Sequence, residues 1–154
     1  MQVTKIKLED DSVEVHYTER RQLGEEQSVY RGADPGHPDL RKAWQEAERR
    51  ILALAKLRAG EDKELRSIRF KSGEEFLEAD FTVLQSLPYT TRPLVLNLPP
   101  ARSGEEEAGG MSEDLFKVLV MIQTEARHYV AGEKREQVTL ELEDNSGEEE
   151  EADG

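Results

Sequence analysis

The sequence predicts an α+β fold in which two amphipathic helices cover one face of a largely antiparallel sheet, and three observations predict it. Apolar and polar residues alternate with period two in several short runs, the pattern of half-buried strands. Two longer stretches repeat apolar residues every three or four positions, the pattern of helices. Turn residues divide the chain so that strands come in groups before each helix. At 154 residues there is room for one domain with a real core and not for two ordinary ones. Apolar and charged residues each make up 36%, so a core depends on the apolar ones gathering, as they do at 51–57, 76–87, 94–98 and 115–122.

The elements follow in order. In "VTKIKLEDDSVEVHYTERR", Ile6 and Leu8 share one face while Lys5 and Lys7 take the other; after Asp10 and Asp11 the alternation resumes with Val13, Val15 and Tyr17. That is a hairpin with one buried face. A weaker third strand is expected at 27–31, ended by the loop "GADPGHP". The first helix opens at Pro38, with Asp39 near the positive end of its dipole, and is expected to run towards Gly60. Its stripe is Leu40, Trp44, Ala47, Ile51 and Leu54.

"LRSIRFKSGEEFLEADFTVLQSL" predicts two more strands about a turn at Ser72 and Gly73. Glu, Leu and Ala at 74–84 would also suit a helix, but Leu77, Ala79, Phe81 and Val83 fit period two better. "RPLVLNLPP" is an unbroken apolar run, expected to be buried on both faces and to end at Pro99 and Pro100. "ARSGEEEAGG" is mobile by composition. Ser112 then caps a second helix with Glu113 and Asp114 in its first turn, a stripe of Leu115, Val118, Leu119, Ile122, Ala126 and Tyr129, and a stop at Gly132. The order is β-β-(β)-α-β-β-β-α followed by a tail, and its two similar halves suggest a duplication that no residue-level repeat supports.

Charge separates body from tail. From Glu136 onward there are nine acids and no Lys or Arg, so residues 1–135 carry only about −4 of the net −13. The expected organisation is one α+β domain over 1–135 and a disordered acidic tail over 136–154. Net acidity disfavours nonspecific capture of nucleic acid, which needs Lys and Arg to displace counterions. The pairs Arg20-Arg21 and Arg49-Arg50 are local exceptions whose plainer reading is solvated surface. Without cysteine there are no disulfides, thiolate metal sites or cysteine nucleophiles. No apolar run approaches the roughly 20 residues of a membrane helix, and "MQVTKIKLEDD" lacks a signal-peptide core, so the cytoplasm is the expected compartment and no membrane contact is expected.

The residues point away from catalysis. His16, His37 and His128 have no metal-ligand spacing, and capping or surface roles suit them better. Among 34 acids none is marked as a pair; Asp80, on an apolar strand, is expected to point outward. There is no glycine-rich phosphate loop with its lysine and no nucleophile elbow. No catalytic residue, metal or cofactor is therefore expected. Trp44, Tyr17, Tyr30 and Tyr89 could stack on bases, but Trp44 lies on the helix stripe, which leaves Tyr89, between Pro88 and Thr90, as the candidate surface residue.

The motif "HPDL" at 37–40, "PLVLNLP" at 93–99 and the Tyr-x-x-Gly-x-Lys-x-x-Gln pattern at 129–137 resemble a family of small phage- and prophage-encoded proteins found near genes of early DNA replication and recombination. The resemblance spans roughly residues 1–140. It implies a cytoplasmic accessory protein of the bacterial host cell, with no activity to carry over. It also bears on the tail, since Gln137, Leu140 and Leu142 are similar to the short peptides that bind the bacterial sliding clamp. The match lacks the aromatic residue, and acids follow it; residues 138–142 also alternate as an edge strand would.

The expected function is a non-enzymatic protein that binds DNA replication, recombination or repair machinery, with the sliding clamp as one candidate partner. A homo-oligomer joined through sheet edges, clamp-like in form, is a variant of this reading. The competing expectation is an acidic DNA mimic that inhibits a host defence or transcription protein. Direct contact with nucleic acid is left open.

Overall fold

Period-two patterning builds a single seven-stranded sheet in the computed structural model, which describes residues 1–32, 37–72, 76–104 and 110–132. Strands β1 (Gln2–Glu9) and β2 (Ser12–Arg21) form the expected hairpin about Asp10 and Asp11, and β3 (Gly24–Gly32) joins as a full third strand. Val3 and Ile6 both face inward although three residues apart, because a bulge between Val3 and Lys5 resets the alternation. Gly24 sits at φ +129 after the two-residue turn from β2, a conformation that only glycine adopts without strain.

Helix α1 (Pro38–Leu54) starts where the sequence places it. The His37 ring accepts a hydrogen bond from the Asp39 N–H at 3.1 Å, and Pro38 takes the first turn. It ends before the expected Gly60. Ala55 caps it, Lys56 turns left-handed at φ +58, and the N–H groups of Leu57 and Lys56 donate to the carbonyls of Leu52 (2.8 Å) and Ala53 (3.1 Å). Glycine usually holds this turn. Here Leu57 folds back onto the core that contains Leu52, and that packing keeps a lysine in a conformation it would not choose locally.

The second half is a meander of β4 (Lys63–Ser72), β5 (Leu77–Leu87) and β6 (Thr90–Ser103), then the two-residue β7 (Gly110–Met111) and helix α2 (Glu113–Val130). Residues 77–87 are strand, as their period of two requires. Ser112 caps α2, its hydroxyl accepting from the Leu115 N–H at 3.1 Å. Strand β6 overturns two expectations. It does not end at Pro99 but runs on to Ser103, the two prolines forming a bulge because Leu98 pairs with Phe81 and Ala101 with Ala79. Nor is it buried on both faces, because it lies near the rim: among the described residues only β7 pairs beyond it, in parallel, at Arg102 and Ser103.

The strand order is β3-β2-β1-β4-β5-β6-β7, antiparallel throughout except for the β6–β7 contact. Each half is thus a three-stranded meander followed by a helix, and the halves meet at the centre where Ile6 lies opposite Ile68. Connectivity is duplicated about that joint even though residues do not repeat. Both helices cover the same face. Leu40, Trp44 and Ile51 of α1 and Leu115, Leu119 and Ile122 of α2 share one buried cluster with Val15, Ile68, Phe81 and Val83 of the sheet. Side chains of α1 hold both main-chain groups of Leu65 beside a bulge in β4: Trp44 Nε1 donates to the carbonyl at 3.0 Å and Glu48 accepts from the N–H at 2.7 Å. Among the described residues no helix is long and apolar enough to cross a membrane.

Candidate functional site

Strand β6 pairs with β5 along one side, and among the described residues its other side is open until β7 takes up Arg102. Pairing with Gln85, Val83 and Phe81 puts Leu94, Leu96 and Leu98 on the helix-covered face, while Val95 and Asn97 share the solvent face with Leu84 and Thr82. Leu94 remains 45% exposed and Val95 52% exposed. The helices stop short of this rim. Between them and the strand lies a groove of about 180 Å³, lined by Ile51, Leu54 and Ala55 of α1 on one side and by Phe81 and residues 98–101 on the other.

Residues 93–101 carry no charge. The usual devices that blunt an edge strand are charged side chains, short length, prolines and cover by other elements. In β6 these devices stand at the two ends, Arg92 and Pro93 on one side and Pro99, Pro100, Arg102 and the β7 contact on the other, and they confine an open, mostly apolar stretch to residues 94–98. Tyr89, the surface residue named from sequence, stands in the tight turn between β5 and β6 and is 82% exposed, at one end of this edge.

Elsewhere Leu23, Val29, Val120 and Met121 are also exposed, but singly or in pairs, and the sheet's open face is crossed by ion pairs. On the open face of the sheet, Glu14 accepts from His16 Nε2 at 2.6 Å and from Arg31 Nε at 3.0 Å; the first of these bonds, helped by the second, holds its carboxyl below the ordinary carboxylate range. Asp80 points outward as expected and meets Arg69 at 3.3 Å, and Glu78 meets Arg102 at 3.0 Å. In the two arginine runs, Arg21 pairs with Glu19 and Glu26, and Glu46 serves both Arg49 and Arg50. A face on which cations are already paired with carboxylates is poorly suited to displacing counterions from a phosphate backbone.

A polar cleft of about 240 Å³ lies at the other end of α1, with Glu9, Asp10, Glu48, Glu61 and Glu64 facing Arg41 and Lys63. Its polar groups are used structurally: Glu48 holds Leu65, and Arg41 donates to the Glu9 carbonyl. Among the described residues no group of three or more metal-ligating side chains gathers.

Of the other residues named from sequence, Trp44 is buried and hydrogen-bonded, and Tyr17 and Tyr30 are half-buried against the core, Tyr30 beside Tyr129 with ring centres 5.5 Å apart. The four aromatic side chains therefore do not form a stacking surface. His37 caps α1, and His128 is exposed on α2. Gln137, Leu140 and Leu142 lie outside the described residues, as does the whole of 136–154. Sequence reading missed the β6 edge, because a run that is apolar at every position looks like a central strand. The signal that could have found it was the three prolines, since proline within a strand belongs at an edge or a bulge. Set against protein-family models, curated proteins and solved structures, the chain matches none of them.

Proposed function

We propose that this chain is a non-catalytic binding protein that serves DNA replication, recombination or repair machinery, and that its protein contacts are made by strand addition at β6. One observation carries the mode of binding: a strand whose residues 93–101 are uncharged and whose edge is open among the described residues, beside a groove that can take a side chain from an added strand. Main-chain hydrogen bonds along such an edge supply affinity, and pockets for alternate side chains supply selectivity. The replication setting is supported by the sequence resemblance alone. The DNA-mimic reading has less to rest on, because the carboxylates of the sheet's open face are matched by arginines and histidine.

The test is a binding titration of the full chain against purified replication proteins, the bacterial sliding clamp first, at low and at high salt. Val95→Lys, Leu140→Ala and a chain ending at Arg135 run in parallel. Retention at high salt that is lost in Val95→Lys supports the proposal. Retention lost only in Leu140→Ala or in the shortened chain moves the contact to the C-terminal segment and away from β6. Failure of the full chain to hold any replication protein removes the replication setting.

A further inference from the structure

Resting on the reading of β6 as a strand-addition edge, we infer that the strand added is β6 of a second copy of this chain, antiparallel, about a two-fold axis at Leu96. An isologous contact places each strand against its own reverse, so the strand must be its own complement. This one is. About Leu96, the sequence Pro93-Leu94-Val95-Leu96-Asn97-Leu98-Pro99 sets Leu94 opposite Leu98 and Val95 opposite Asn97, with proline at both ends.

The boundaries of the open edge have the same centre. The turn from β5 ends at Thr90 and β7 takes the edge from Arg102, and Leu96 is the midpoint between them.

Faces and charges agree. Leu94, Leu96 and Leu98 all lie on the helix-covered side, so pairing in this register continues the core of one copy into the other. The partner's Leu94 then lies beside Leu98 at the mouth of the groove lined by Ile51, Leu54 and Phe81, covering leucines that are otherwise exposed. No charged side chain within residues 93–101 meets its own copy across the axis. At the opposite rim, β3 carries Glu25, Glu26 and Arg31 along its exposed length. With one edge guarded and one bare among the described residues, bare edge to bare edge closes as a dimer, whereas β3 joined to β6 would propagate.

The chain has no cysteine, which makes a register test clean. Sedimentation equilibrium of the full chain is expected to give twice its mass. Leu96→Lys, which would set two ammonium groups facing each other, and the milder Val95→Lys, at an exposed position, are both expected to shift the chain to monomer with an unchanged circular dichroism spectrum. On mild oxidation Leu96→Cys is expected to link to itself, while Leu94→Cys is expected to link to Leu98→Cys in an equal mixture and not to itself. A dimer that survives Val95→Lys, or one in which Leu96→Cys and the mixed pair both fail to link, overturns the inference, as does assembly into rings or filaments. A monomer that still binds a replication protein, with that binding lost in Val95→Lys, overturns the inference and leaves the strand-addition reading standing. A monomer without edge-dependent binding removes both.

Discussion

Strands β3 and β6 hold the same topological place, each the third strand out from the β1–β4 joint, yet β3 carries Glu25, Glu26 and Arg31 where β6 has no charge from 93 to 101. Duplicated connectivity therefore ends in two different rims. Around β3, Arg21 bonds Glu26 at 2.9 Å and Arg31 bonds Glu14 at 3.0 Å, so the rim strand carries charges that are tied to β2 and that an added strand would have to lie against. Around β6, Leu94 and Val95 are exposed on opposite faces and Leu98 lines an apolar groove on the helix-covered side. A sheet edge is a template for pairing unless something spoils it, and the difference between the rims is one of side-chain chemistry, since among the described residues β3 and, short of Arg102, β6 both present unpaired backbone.

The comparison presumes that both rims hang from one rigid centre, and the strongest way to break it is at that centre. Ile68→Ala deletes a fully buried side chain opposite Ile6 and is expected to cost about 2–5 kcal/mol. Urea unfolding followed by fluorescence and by circular dichroism should still show one shared transition; two transitions would mean that the halves, and hence the rims, are independent.

Trp44→Phe keeps an aromatic ring in the core but deletes the pyrrole part of the buried indole and with it the bond to the Leu65 carbonyl, which anchors α1 over β4. It is expected to cost about 1–2 kcal/mol, because a buried acceptor loses its donor. If the groove depends on where α1 sits, edge-dependent binding weakens as well; unchanged binding would show that β6 alone is enough.

Stripping the guard from β3 sharpens the contrast from the other side. Glu25→Thr with Glu26→Val is expected to change stability by no more than about 0.5 kcal/mol while promoting association beyond the parent's state in light scattering. If association does not change, charge is not what protects that rim.

The smallest effect concerns pH. His16 foremost, then Arg31 reaching across from β3, depress the pKa of Glu14. A depressed carboxyl contributes stability that is full above the unfolded pKa and is lost as pH falls through the folded one. The β2–β3 rim should therefore loosen only on acidification below the ordinary carboxylate range, whereas contacts at the uncharged β6 edge should not respond there. Hydrogen exchange of β3 and β6 amides between neutral and acid pH checks this. In an NMR titration, His16→Gln should bring the Glu14 carboxyl back towards its ordinary value.

Much of this architecture was legible in residue order. Alternation placed the β1–β2 hairpin and kept 77–87 a strand despite its helix-favouring glutamates, and caps at His37 and Ser112 were written next to the stripes they start. The end of α1 was not legible, because Lys56 takes a left-handed turn for the sake of Leu57 packing in the core, a contact no local rule sees. Of the candidate residues, Tyr89 is exposed as expected, and Trp44 is the core residue its stripe implied.

What the sequence by itself determined is the inventory: which segments are strands, which are helices, which faces are apolar, and that the body is nearly balanced in charge. Those properties are periodic or additive along the chain, so they need no knowledge of neighbours. What only the tertiary structure decided is position. "LVLNL" reads the same in the middle of a sheet as at its rim, and it became an exposed edge because β1 paired with β4 and, among the described residues, only the short β7 lies beyond β6. Burial depends on what packs alongside, and that is settled between segments distant in sequence.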